Sequence, residues 1–193
     1  TDHLFFIKGD SHTAQFLPIF NQSKIIDNFY FTASNNSSFS NFDNKLSNYF
    51  SKIYLVTNLN NSEELKKTKK EFLNLSKNLN LIIFNSRPTS EQTFPFKCLV
   101  QQRNCTIDRK KNKKENKLEK FFYELNEFKK ENKNRVFIFD SYGSLCPAKK
   151  SECIIYDKEK DILYYRDKGH LLPEGAKTII PQFEEFLKRN KII

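Results

Sequence analysis

Short, almost wholly apolar runs punctuate the chain at residues 4–7, 29–33, 53–57, 79–84 and 136–139. Runs of that length predict strands buried on both faces, the habit of parallel sheets. Between them, apolar residues recur at helical spacing: Ala14, Leu17 and Phe20 after the first strand, Leu65, Phe72, Leu75 and Leu79 towards the fourth, and Leu118, Phe121, Phe122, Leu125 and Phe128 before the fifth. Each set marks one face of an amphipathic helix. Asn61 and Glu64 have the spacing of a capping box ahead of the second helix. Ala176, Ile179, Ile180, Phe183 and Leu187 predict a last helix, kinked or restarted at Pro181, which lacks the amide donor a helix interior needs. Strands alternating with helices make βαβ units, so the expected fold class is α/β, with five strands in a mostly parallel central sheet and helices on both faces.

Two stretches break this rhythm. Residues 35–48 are polar, rich in Ser and Asn and free of glycine, and residues 89–116 are long and irregular. Long loops in a compact domain are commonly functional or tied by disulfides. No linker rich in Pro or Gly divides the chain, and 193 residues suit a single domain with a core of its own. Twenty Phe and eight Tyr exclude a disordered basic tail. No apolar run approaches the roughly 20 residues that cross a bilayer as a helix. With no Met and a strand at its very start, the sequence reads as a piece of a longer or processed protein.

The formal net charge is +10. Compositional bias towards Lys, Asn, Phe and Ile explains it without a partner, and attraction to an acidic polymer or an anionic membrane surface explains it with one. Nucleic acid is not an expected partner. The densest basic stretch, residues 109–117, carries six cations and one acid but no aromatic side chain for base stacking, and reads as a solvated loop.

Four cysteines form two pairs of equal spacing, Cys98 with Cys105 and Cys146 with Cys153, each C-x6-C. Zinc knuckles use tighter pairs, and the histidines, His3, His12 and His170, lie far away in sequence, so no metal is expected. Buried free thiols remain an alternative. Placement in irregular sequence favours disulfides closing small loops, each contributing roughly 2.5 kcal/mol by chain entropy. Disulfides would imply an oxidising compartment, the periplasm or cell exterior.

Gly9-Asp10-Ser11-His12 sits where the first strand gives way to a helix. A serine there is exposed at the carboxyl end of the sheet, where ligands collect in open α/β folds, and its own amide opens a helix. Gly9 would permit a tight turn that Asp10 braces, unless Asp10-Ser11 is simply a helix cap. At the other end of the chain stands Asp167-Lys168-Gly169-His170. A serine nucleophile needs a histidine to take its proton, and that histidine needs a carboxylate to fix its tautomer and stabilise the imidazolium. Ser11, His170 and Asp167 are the residue types for that chemistry. They need no cofactor.

These blocks resemble those of the SGNH (GDSL-type) hydrolase superfamily, whose first block has the form GDS and whose last has the form DxxH. The closer resemblance is to the extracytoplasmic SGNH domain fused behind membrane acyltransferases of acyltransferase family 3. It rests on GDSH at residues 9–12 followed by a helix with Pro18, then the stretch bounded by Cys146 and Cys153, Tyr165, Asp167 to Leu171, and Gly175-Ala176. The resemblance implies a flavodoxin-like α/β/α sandwich spanning residues 1–193, and a Ser11, His170, Asp167 triad with Gly9, Asp10 and His12 shaping the site. It implies an acyl donor reached through a membrane acyltransferase domain in the same longer chain. The acceptor it implies is an envelope glycan such as lipopolysaccharide O-antigen or peptidoglycan. The location implied is the periplasm, tethered to the inner membrane. Esterase action and a non-catalytic glycan-binding module are the alternative readings. Members commonly place oxyanion-hole donors on a glycine in the second block and an asparagine in the third, besides the serine amide. No glycine follows the second strand here, and Asn58 after the third strand stands nearest the third-block position.

Overall fold

In the computed structural model, residues 3–33, 46, 48–89 and 94–193 are described. The strands are β1 His3–Gly9, β2 Phe29–Ala33, β3 Lys52–Asn58, β4 Leu79–Phe84, β5 Cys105–Asp108, β6 Val136–Phe139, β7 Glu152–Asp157 and β8 Ile162–Leu163. The helices are α1 Ser11–Ala14, α2 Leu17–Gln22, α3 Ser62–Leu73, α4 Pro95–Val100, α5 Arg109–Glu115, α6 Leu118–Glu131, α7 Ser141–Leu145, α8 Pro173–Lys177 and α9 Ile180–Arg189. Five strands form the main sheet in the order β2-β1-β3-β4-β6, and every pairing in it is parallel. This is the doubly wound, flavodoxin-like order, with its reversal of winding beside β1. The five expected strands are these five.

Alternation along β1 divides the core. Phe5 and Ile7 join a cluster with Phe16, Phe20, Phe84, Phe139 and Phe183 on one face. Leu4 and Phe6 join Leu65, Phe72, Phe121, Leu125 and Phe128 on the other. Phe84 is ringed by Phe16, Phe139 and Phe183 at centroid distances of 4.8, 5.0 and 5.1 Å. Much of the aromatic content therefore fills one layer, where edge and tilted contacts add to area burial.

Local chemistry sets the helix boundaries. The helix expected over Ala14, Leu17 and Phe20 is two pieces, because Pro18 offers no amide to the preceding turn and sits in the first turn of α2. The last helix likewise restarts as α9 with Pro181 in its first turn. Asn61 caps α3, accepting from the amides of Glu63 and Glu64 at 3.0 and 2.9 Å. The return arm of the capping box goes one residue further back, where Glu64 accepts from the Asn60 amide at 2.7 Å. Leu79, grouped by spacing with that helix, opens β4 instead.

The irregular stretch from residue 89 contains three short elements, α4, β5 and α5. The basic run within it is a helix rather than a solvated loop, started by Asp108 accepting from the Lys111 amide at 2.6 Å and seated on buried Asn112. β5, β7 and β8 make a second, antiparallel sheet that the hydrophobic pattern did not announce. The disulfides Cys98–Cys105 and Cys146–Cys153 tie α4 to β5 and the end of α7 to β7, and no described cysteine is free. Most of the polar stretch 35–48 lies outside the described residues. Among the described residues no helix is long and apolar enough to cross a membrane.

Candidate active site

Ser11 begins α1, one residue past the end of β1, at the carboxyl end of the main sheet. Asp10 is the N-cap, accepting from the His12 amide at 2.8 Å. Gly9 earns its place by close approach, not by a left-handed turn, since no glycine has a positive φ. A Cβ there would lie 2.1 Å from Thr13 Oγ1 and 2.5 Å from Thr13 Cβ. Thr13 in turn accepts from the Asn58 amide at 3.2 Å, which locks α1 onto the end of β3.

The second half of the site comes from the loop between β8 and α8. Tyr165 and Leu171 form an antiparallel bridge, and the Arg166 amide donates to the His170 carbonyl at 2.8 Å, so residues 166–170 form a closed turn. Inside it Asp167 Oδ1 accepts from the amides of Gly169 and His170, both at 2.9 Å. The same carboxylate lies 2.9 Å from His170 Nδ1 through either oxygen. Burial pushes the Asp167 carboxyl up, but the two amides and the imidazole outweigh it and hold the group well below the usual carboxylate range. An ionised carboxylate only accepts, so His170 Nδ1 carries the proton and Nε2 is left to accept. Nε2 lies 3.0 Å from Ser11 Oγ. Ser11, His170 and Asp167 therefore stand in one hydrogen-bonded series, built from opposite ends of the chain.

The other expected site residues fall as follows. His12 lies flat on His170, ring centroids 4.6 Å apart and planes 13° from parallel. Asn58 is 4% exposed, and its side-chain amide donates to the Phe84 carbonyl at 2.9 Å. The segment directly after β2, where a second-block donor would lie, is outside the described residues.

Three residues not singled out by their sequence setting complete the arrangement. Gln15 donates to the His12 carbonyl and accepts from the Leu171 amide, both at 2.7 Å, joining α1 to the histidine loop. Arg87 leaves the end of β4 through Ser86, whose φ of 77° lies in the left-handed region and whose carbonyl accepts from Ser141 at 2.7 Å. Its guanidinium donates to His12 Nδ1 at 2.6 Å, to Asn60 Oδ1 at 2.5 Å and to the Gly169 carbonyl. Asn60 is the residue held by Glu64. The only sequence signal for Arg87 and Asn60 is position, just past the ends of β4 and β3, where ligands collect in this fold.

An imidazole bridging a serine hydroxyl and an ionised carboxylate can take the hydroxyl proton and stabilise the charge that results. The family profile described as SGNH domain (fused to AT3 domains) matches residues 25–185. That span includes the Asp167 to His170 loop and all four cysteines and begins after Ser11, whose position beside His170 comes from the geometry. A search of curated proteins finds no match. The chain belongs to the family of SGNH domains fused to AT3 domains.

Proposed function

We propose that this domain transfers an acyl group through an ester on Ser11. The observation that carries the reading is the unbroken series from Ser11 Oγ to His170 Nε2 at 3.0 Å and from His170 Nδ1 to Asp167 at 2.9 Å. Ser11 Oγ attacks the carbonyl carbon of the donor while its proton passes to His170 Nε2. The bond from that carbon to the leaving oxygen then breaks, and the leaving oxygen takes the proton from His170. An acceptor hydroxyl next gives its proton to His170 and attacks the acyl-serine, and Ser11 leaves with that proton. Asp167 holds the ring and offsets its charge throughout. The Ser11 amide, at the first position of α1 where no intrahelical acceptor exists, faces the developing oxyanion.

Fusion to AT3 domains supports a membrane acyltransferase as the source of the acyl group, and a carbohydrate hydroxyl of an envelope glycan as the acceptor. Two disulfides support an extracytoplasmic location. Water as final acceptor makes the same acyl-enzyme an esterase, and the exposed setting of the Ser11 to His170 contact admits it.

A serine-directed phosphonate, followed by mass spectrometry, tests the core of this reading. The adduct is expected on Ser11 and absent from Ser11→Ala. A folded wild-type protein with no adduct overturns it, and unchanged acylation in cells carrying Ser11→Ala would favour a glycan-holding module.

A further inference from the structure

Arg87 is 4% exposed, and a buried guanidinium is tolerated only when its donors are satisfied. The acceptors it meets here are all neutral: an amide oxygen, a backbone carbonyl and an imidazole nitrogen. Those acceptors belong to the segment after β3, the His170 loop and α1, so one side chain ties together the three segments that build the site. Burial lowers the Arg87 pKa to about 10, which leaves it cationic at neutral pH.

A guanidinium has no acceptor. His12 Nδ1, 2.6 Å from Arg87 Nη2, must therefore present its lone pair, and the ring proton must sit on Nε2. The charged and titratable groups facing His12 are Arg87, Asp10, His170 and Asp167. Burial first, and the Arg87 charge second, push its pKa down, and Asp10 and Asp167 only partly oppose them. Among the described residues Nε2 has no protein acceptor.

We propose that Arg87 is a positioning residue that locks His12 as a neutral imidazole stacked on His170, leaving the His12 Nε2–H as a hydrogen-bond donor to an oxygen of the bound substrate. His170 becomes an imidazolium when Ser11 attacks, and a second cation stacked on it would repel that charge. A neutral His12 gives support without repulsion. Its N–H, without an acceptor among the described residues, supplies a side-chain donor in a site where the Asn58 amide donates to the Phe84 carbonyl. The proposal rests on the reading of Ser11 as nucleophile.

Two measurements test it. Long-range proton–nitrogen NMR of the wild-type imidazoles is expected to show His12 with a bare Nδ1 and a protonated Nε2 at neutral pH, and titrating below a free histidine. Rates of Ser11 labelling by phosphonate are then followed against pH. Arg87→Met is expected to be labelled at least about 10-fold more slowly, with a steeper acid limb because His12, relieved of the guanidinium charge, now takes up a proton. Arg87→Lys recovers part of the rate, since one ammonium reaches some of the three acceptors. His12→Phe keeps a ring against His170 without the N–H and is expected to lose on the order of 10²-fold with the slope unchanged. Should Arg87→Met fail to fold, the wild-type tautomer and the other two variants still decide.

A wild-type His12 that carries its proton on Nδ1, or titrates no lower than a free histidine, overturns the proposal. So do Arg87→Lys and His12→Phe labelled at the wild-type rate and slope. A wild-type protein with no label at all instead fails the acyl-transfer reading, and is distinguished because the tautomer measurement does not depend on turnover.

Discussion

Asp167 does two things with one carboxylate, closing its own turn through two amides and orienting His170. Its folded pKa is depressed, so the stability it contributes is present above the unfolded carboxylate pKa, about 4, and is lost as pH falls towards the lower folded value. The stability gap between wild type and Asp167→Asn, from denaturant titrations, should therefore be widest above about pH 5 and shrink below about pH 4. The same variant should lose roughly 10³- to 10⁴-fold in Ser11 labelling rate, since the asparagine favours the wrong tautomer of His170. Ser11, Asp167 and His170 were legible in the sequence because they lie in two short blocks whose residue types answer each other chemically. Arg87 and Asn60 were not. One is a cation in a chain of net charge +10 and the other stands among many asparagines, and only the tertiary approach of three loops gives either a role. Asn58 closes β3, and its side-chain amide donates to the Phe84 carbonyl, a tertiary partner that its place in the sequence does not show.

Hydrophobic periodicity located the main-sheet strands and the principal helices because each carries enough apolar residues to show its period. β5 and β8 escaped it, being only four and two residues long, and β7 confines its apolar residues to Cys153 to Tyr156 between Glu152 and Asp157. The two disulfides and the β5–β7 pairing bind α4 and the end of α7 into one unit. Removing the Cys98–Cys105 bond by paired serine substitution should cost roughly 2.5 kcal/mol, and calorimetry should show Tm falling by roughly 5–10 °C. Ser11, His170 and Asp167 all lie outside that unit. Ser11 labelling at a temperature where the variant stays folded is therefore expected to remain near the wild-type rate.

The strand order places the ends of β1, β3 and β4 side by side, so that Ser11, Asn60 and Arg87 come from three neighbouring strand ends. Around them lies a chain with ten more cations than anions. A positive field raises the local concentration of polyanions and is screened by salt. Turnover of an anionic glycan is therefore expected to fall as sodium chloride is raised, while turnover of a small neutral ester stays level. Equal salt responses would leave compositional bias as the account of the charge. The bond from Ser11 to His170 joins residues 159 apart in sequence. During vectorial synthesis the nucleophile therefore emerges well before its base. On the acyl-transfer reading the nascent domain is thus chemically latent, with no base beside Ser11 until the sheet has closed and the loop carrying His170 has docked.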